Sequence, residues 1–163
     1  MSKLQAGDPA PEIAATAHDG TPVNLAAFRG KWLVLYFYPR SFTSGCTVES
    51  KEFRDRGDEI RALGATIVGI SIDELDTQCR FAEHHRLGFP LVADHDGRIT
   101  RAFGVKRPLV NTAKRVTFVI DPQGRIAARF HHELRFTKHV DDVTDFLRAH
   151  ARPGVRGDAS TGG

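Results

Sequence analysis

The longest apolar run of the chain is KWLVLYFY (Lys31–Tyr38), in which polar and apolar positions do not alternate. That is the signature of a strand buried on both faces. ATIVGISI (Ala65–Ile72) reads as a second such strand. RVTFVID (Arg115–Asp121) and RIAARF (Arg125–Phe130) are a third and fourth, and Pro122–Gln123–Gly124 between them predicts an antiparallel hairpin. Upstream, EIAAT and PVNL flank His18–Asp19–Gly20, which predicts a smaller hairpin ahead of the main sheet.

Between these strands the apolar period lengthens to that of a helix. Cys46, Phe53 and Ile60 recur every seventh residue, with Gly57 and Leu63 close to the same stripe. Thr43–Ser44–Gly45 is expected to open this helix, which should run to about residue 62. A second helix is expected after Asp73, taken as its N-cap, with Leu75, Cys79 and Ala82 on one face. A third, short helix covers Gly97–Phe103, and the last carries Val140, Val143, Phe146 and Leu147 on one side. Strands alternating with helices, then a hairpin and a closing helix, give an α/β fold with a mixed central sheet and helices on both faces.

The chain has 163 residues, which fits one domain, expected over residues 1–151. Residues 152–163 (RPGVRGDASTGG) offer almost nothing to bury and are expected to be a disordered tail, in which the RGD string is a chance match. Hydrophobic residues make up 40% and charged residues 26%, the balance of a globular protein with a real core. The net charge of +3 comes from 23 basic and 20 acidic residues, interspersed along the chain. Without a clustered basic stripe, nucleic-acid binding is not expected. The first residues lack the apolar stretch of a signal peptide, and the longest apolar run is too short to span a bilayer. A cytoplasmic location is therefore expected, with no membrane partner. Thiols stay reduced there, so the two cysteines read as redox-active, catalytic or buried rather than as a structural disulfide. Cys46 and Cys79 are also too far apart for a CxxC zinc half-site.

Cys46 carries the strongest chemical signal. It follows a buried strand and the loop Pro39–Arg40–Ser41–Phe42, and falls in the first turn of a helix. Backbone N–H groups without intrahelical partners point at that position, and the helix dipole favours negative charge there. Both effects favour a thiolate over a thiol. Thr43 is placed to turn its hydroxyl toward the sulfur, and Pro39, lacking an N–H, stiffens the loop that walls the sulfur from water. Taken alone, such a cysteine is more readily a small packed hydrophobe.

The string YFYPRSFTSGCTVESKEFRD (Tyr36–Asp55) resembles the active-site segment of the peroxiredoxins, with Pro39, Thr43 and Cys46 on the fixed positions of P-x-x-x-T-x-x-C. Gly45–Cys46–Thr47, Glu49 and Phe53–Arg54–Asp55 are similar to the subgroup named after bacterioferritin comigratory protein, also called peroxiredoxin Q. Arg115 matches the arginine that these enzymes place beside the sulfur, and the resemblance extends from about Gly7 to Leu147. It implies a thioredoxin-like fold and an antioxidant peroxidase that reduces hydrogen peroxide and organic hydroperoxides. Cys46 would be the attacking thiolate, and Thr43, Arg115 and Pro39 would complete the site. No metal, flavin or haem is called for.

These residue types suit the reaction. Charge moves from sulfur to the leaving oxygen, so fixed donors along that line stabilise the transition state. Arg115 offers a permanent charge and a fork of donors, Thr43 both donates and accepts, and the N–H groups of Gly45 and Cys46 add positive field. Glu49 is either a partner that orients Arg115 or the loop, or a plain helical surface residue. Pro108, Leu109 and Val110 in the loop Gly104–Lys114 line a hydroperoxide pocket, form a subunit contact, or simply fill the loop.

Attack leaves Cys46 as a sulfenic acid that a second thiol must resolve. Many members of the subgroup carry the resolving cysteine five residues after the first, where this chain has Lys51. The remaining thiol, Cys79, is the tentative resolving residue; otherwise the enzyme is of one-cysteine type and Cys79 is a packing residue. The resemblance further implies a thioredoxin-like or small-thiol reductant and a monomer or homodimer. Two other readings compete. A thiol-disulfide oxidoreductase would want a CxxC, where this chain has Glu49. A metal-binding module would use His84–His85 or His131–His132 with His139, but adjacent histidines diverge on a helix or strand and chelate poorly.

Overall fold

The computed structural model describes residues 4–41, 43–135 and 137–151. The expectation of a disordered tail over 152–163, and Phe42 of the loop before Cys46, lie outside these residues.

The elements are β1 (Ala14–Thr16), β2 (Pro22–Asn24), a 3-10 turn (Leu25–Phe28), β3 (Trp32–Phe37), α1 (Ser44–Asp55), α2 (Gly57–Ala62), β4 (Ala65–Ser71), α3 (Leu75–His85), β5 (Leu91–Ala93), α4 (Arg98–Ala102), β6 (Val116–Ile120), β7 (Ile126–His131) and α5 (Lys138–His150). The main sheet has the order β5-β4-β3-β6-β7. β3 runs parallel to β4 and antiparallel to β6, so the sheet is mixed and its centre is the longest apolar run of the sequence. β6 and β7 form the expected hairpin, closed where Asp121 Oδ1 accepts from the N–H groups of Gln123 and Arg125. β1 and β2 pair as a separate two-stranded sheet.

The period-2 geometry of a strand divides the core in two. Leu33, Leu35 and Phe37 of β3 join Phe118 and Ile120 of β6 on one face, covered by α4, through Ile99, and by the N-terminal segment, through Ile13 and Val23. Val34, Tyr36 and Tyr38 point the other way, into a cluster with Cys46 and Phe53 of α1, Phe81 of α3, and Val140, Val143 and Leu147 of α5. Each large side chain fully buried there contributes about 1.5–3 kcal/mol. Helices do lie on both faces, but unequally: four pack on the second face and only the short α4 on the first.

Four features differ from expectation. The helix that holds Cys46 breaks at Arg56, whose φ of −102° and ψ of 12° leave the helical range. Its guanidinium turns instead to Asp141 and Thr144 of α5, at 2.6 and 2.8 Å, and pins the break. Asp73 is not the cap of α3, which Glu74 precedes in extended conformation. The Asp73 carboxylate is drawn inward to accept from Ser71 Oγ at 2.5 Å and from the backbone N–H of Ser41 at 2.8 Å. The buried face of α3 is Gln78, Phe81 and Ala82, so Leu75 is exposed and Cys79 is half-buried at the edge of that face. β5 escaped the pattern because three residues are too few to show a period.

Candidate active site

Cys46 is the third residue of α1, directly after the loop that leaves the end of β3. Thr43 precedes the helix in extended conformation, and Thr47 N–H donates back to Thr43 O at 2.8 Å, which starts the helical ladder one residue beyond the cysteine. The first turn has no acidic residue, so nothing opposes the positive end of the helix at the sulfur.

The loop is held from two sides. Gln78 Oε1 accepts from the hydroxyls of Tyr38, at 2.7 Å, and Ser41, at 2.8 Å, while its Nε2 donates to Val92 O at 2.9 Å. Together with the Asp73 bond to Ser41, this clamps both ends of Tyr38–Ser41 against α3. A second hydroxyl pair, Tyr36 and Ser50 at 2.8 Å, ties α1 to β3. Tyr36 stacks on Phe53 with ring centroids 4.6 Å apart.

Arg115 stands immediately before β6 and is only 6% exposed, not the surface residue a strand-opening arginine usually is. Its Nη1 donates to Cys46 Sγ at 3.3 Å and to Glu49 Oε1 at 3.0 Å. Its Nε donates to Glu133 O at 3.1 Å, and its backbone N–H to Glu133 Oε2 at 3.3 Å. Burial works against the guanidinium charge, but Cys46 and Glu49 outweigh it and hold the pKa above its ordinary value. Glu49, three residues after Cys46 and on the same helix face, is fully buried. Burial pushes its carboxyl up to about 8, despite the neighbouring Arg115.

Thr43 departs from expectation. Its hydroxyl donates to Arg40 O at 2.9 Å instead of turning to the sulfur, and makes no capping bond. With its proton given to that carbonyl, the Thr43 oxygen keeps only acceptor capacity. Pro39 is half-buried at the end of β3. Cys46 itself is closed off from solvent at 0% exposure, and no disulfide joins it to Cys79.

Ser41, Gln78 and Glu133 were not singled out from sequence, and Asp73 only as a helix cap, since each is an ordinary polar residue until the fold brings it to this place. Arg107 Nη2 bonds Glu133 Oε1 at 2.6 Å, which anchors the loop Gly104–Lys114 beside Arg115. Beyond the anchor, Pro108, Leu109 and Val110 are exposed, Leu109 with 94% of its surface. In the pair His131–His132 the two rings meet different carboxylates, His131 that of Glu133 and His132 that of Asp142. Among the described residues no group of three or more His, Cys, Asp or Glu is placed to hold a metal ion.

The profile of the AhpC/TSA family matches residues 6–129, more than half of the chain and both Cys46 and Arg115. The chain belongs to the AhpC/TSA family. Within this family it is 37% identical over 157 residues to peroxiredoxin Bcp of Escherichia coli (strain K12), across 93% of this chain and 100% of that one. It is 34% identical over 150 residues to the chloroplastic peroxiredoxin Q of Gentiana triflora, across 91% and 69% of the two chains. Peroxidoxin BcpB from Mycobacterium tuberculosis superposes with a TM-score of 0.84 at 36% identity, covering 90% of this chain and 98% of that one. The bacterioferritin comigratory protein of Xanthomonas campestris, studied for alkyl peroxide reduction, superposes with a TM-score of 0.82 at 32% identity, covering 90% and 99%. As a peroxiredoxin the chain is a thiol-dependent peroxidase, which takes a peroxide and a thiol reductant. The thiol-disulfide oxidoreductase and metal-module readings give way to this assignment. Among the described residues no helix is long and apolar enough to cross a membrane.

Proposed function

We propose that Cys46 is the peroxidatic residue, reacting as a thiolate held by Arg115 and the first turn of α1. The observation that carries this is the 3.3 Å bond from Arg115 Nη1 to Cys46 Sγ in a site where both are buried. The sulfur attacks one peroxide oxygen, an S–O bond forms as the O–O bond breaks, and the other oxygen leaves as hydroxide or alkoxide and takes up a proton. Arg115 steadies charge at both ends of that transfer. Thr43, its own proton committed to Arg40 O, accepts the O–H of the incoming peroxide. Pro39 and the Gln78–Ser41–Asp73 clamp keep the loop in register. Because the sulfur is covered in the reduced chain, peroxide entry needs a small local opening of the loop and first turn.

Hydrogen peroxide and organic hydroperoxides both suit a site that recognises only the O–O–H group; the named alkyl peroxide activity of the X. campestris relative supports the second. Cys79 is the resolving residue: its thiol attacks the sulfenic acid, water leaves, and a disulfide forms for a thioredoxin-like or small-thiol reductant to reopen. Its half-exposed place next to Gln78 supports this, since the helix that carries it is already tied to the Cys46 loop. Disulfide geometry needs Cα atoms within about 7 Å, so the first turn of α1 unwinds first. Residues 1–151 act as one domain, as monomer or homodimer, in cytoplasmic antioxidant defence. Peroxide-consumption kinetics test the assignment. With a small thiol as reductant, Cys46→Ser loses turnover and Cys79→Ser retains it; retention by Cys46→Ser overturns the proposal.

A further inference from the structure

Peroxide attack and disulfide formation need different arrangements of the same residues. Attack uses the closed site, in which the Cys46 side chain has no exposed surface. Joining Cys46 to Cys79 needs an open one, because Cys79 lies half-buried at the edge of α3 while Gln78, Phe81 and Ala82 form its buried face. Gln78 stands between the two arrangements. It directly precedes Cys79 and is bonded to the loop that leads to Cys46.

The Gln78 side chain is fully buried, and its bonds fix which way the amide points. Val92 O only accepts, so the group 2.9 Å from it is the amide nitrogen and Oε1 is turned to the loop. There Oε1 accepts from the buried hydroxyls of Tyr38, at 2.7 Å, and Ser41, at 2.8 Å. Asp73 Oδ2 accepts from the Ser41 N–H at 2.8 Å and is itself held by Ser71 Oγ at 2.5 Å. Ser41 is thus tied down through backbone and side chain, five residues before Cys46.

Two motions bring the thiols together, and each parts Ser41 from Gln78. Successive helical residues point about 100° apart, so turning Cys79 inward swings the Gln78 amide away from its two hydroxyls. Carrying Cys46 outward unwinds the start of α1, where Thr43 Oγ1 donates to Arg40 O at 2.9 Å, and so pulls on the neighbour of Ser41. A closed clamp and a Cys46–Cys79 disulfide exclude each other. We propose that Gln78, with Tyr38 and Ser41, is a latch that times resolution, its bonds setting how long the Cys46 sulfenic acid stays enclosed before Cys79 meets it. Gln78 is a positioning residue, and its role as a latch rests on Cys46 being peroxidatic and Cys79 resolving.

While the latch is closed, the sulfenic acid sits where peroxide reacts, so a second peroxide competes with Cys79. In one course the Cys79 thiolate attacks the Cys46 sulfur, an S–S bond forms, and the hydroxyl leaves with a proton as water. In the other the Cys46 sulfur takes one oxygen of the peroxide, the O–O bond breaks, and the second oxygen leaves as water, giving a sulfinic acid. A tight latch favours the second course and a loosened one the first.

Ser41→Ala and Tyr38→Phe each remove one hydroxyl and leave Oε1 the other, so both are small changes. The reduced full chain is mixed with rising doses of hydrogen peroxide, and intact mass gives the shares of disulfide and sulfinic acid. The dose at which the two shares are equal is expected to rise about fivefold in each variant, the worth of one buried hydrogen bond. Ser41→Thr, which keeps the hydroxyl, is expected to stay at the native dose. A native or lower dose in folded Ser41→Ala and Tyr38→Phe overturns the inference, and with a lowered melting temperature it marks the two hydroxyls as merely structural. A rise in Ser41→Thr as large as in Ser41→Ala overturns it too. A native chain that gains oxygen from one equivalent of peroxide and forms no disulfide contradicts the resolving role of Cys79, and the latch falls with it. Undiminished turnover by Cys46→Ser contradicts the peroxidatic role instead.

Discussion

Arg115 and Cys46 are 69 positions apart in sequence, yet the guanidinium Nη1 lies 3.3 Å from the sulfur and 3.0 Å from Glu49 Oε1. Replacing Arg115 with Met removes the fixed charge aimed at the reacting atoms, and a loss of on the order of 10²–10³ in the peroxide rate constant is expected. Arg115→Lys should recover little of it. A single ammonium cannot meet Cys46, Glu49 and the Glu133 carbonyl together as the planar fork does. Stopped-flow oxidation of the two variants measures this.

The fate of the sulfenic acid distinguishes Cys79 from a bystander. One equivalent of peroxide added to the reduced native chain should leave a product lighter by two hydrogens, an intramolecular Cys46–Cys79 disulfide. Cys79→Ser should gain oxygen instead and be overoxidised by excess peroxide. Intact mass reads both outcomes, and oxygen gain in the native chain would make Cys79 a packing residue.

Gln78 is expected to matter more than its place on a helix suggests. Gln78→Leu leaves the Tyr38 and Ser41 hydroxyls and Val92 O without their shared partner. Each buried polar group left unpaired costs about 1–3 kcal/mol. A lower melting temperature together with faster hydrogen exchange over residues 38–41 is the expected pair of effects; destabilisation without the local exchange would show that the clamp on the loop is not what Gln78 supplies.

Stability should respond to pH from both sides of the site. Glu49, raised from 4.5 to about 8 in the folded chain, contributes stability that is fully present below about 4.5 and is lost as pH rises through about 8. His139, lowered from 6.5 to about 4, contributes stability present above about 6.5 and lost as pH falls through about 4. Denaturant unfolding as a function of pH should show both limbs. Glu49→Gln, which cannot ionise, should flatten the decline on the alkaline side and leave the acid limb in place.

The chain announces its fold through β3, where apolar residues fill both faces, and through the heptad spacing of Cys46, Phe53 and Ile60. The approach of Arg115 to Cys46 was also legible, because a short motif and one strand-opening arginine carry it, whereas the turn of the Thr43 hydroxyl to Arg40 O was not. The break at Arg56 was not, since a long-range bond to α5 decides it and the local periodicity continues across it. Nor was the inward turn of Asp73, which looks like a helix cap until Ser41 arrives from a loop 32 positions away. His139 was weighed only as a neighbour of the histidine pairs; the fold places its ring 3.7 Å from Glu49, which lies on another helix.

The proposed acceptor of the peroxide oxygen is the sulfur of Cys46. It is tested most directly by treating Cys79→Ser with one equivalent of peroxide in the presence of a sulfenic-acid-specific dione, then locating the adduct by peptide mass. Stoichiometric adduct on Cys46 is expected. Peroxide consumed with Cys46 left as an unmodified thiol would contradict it.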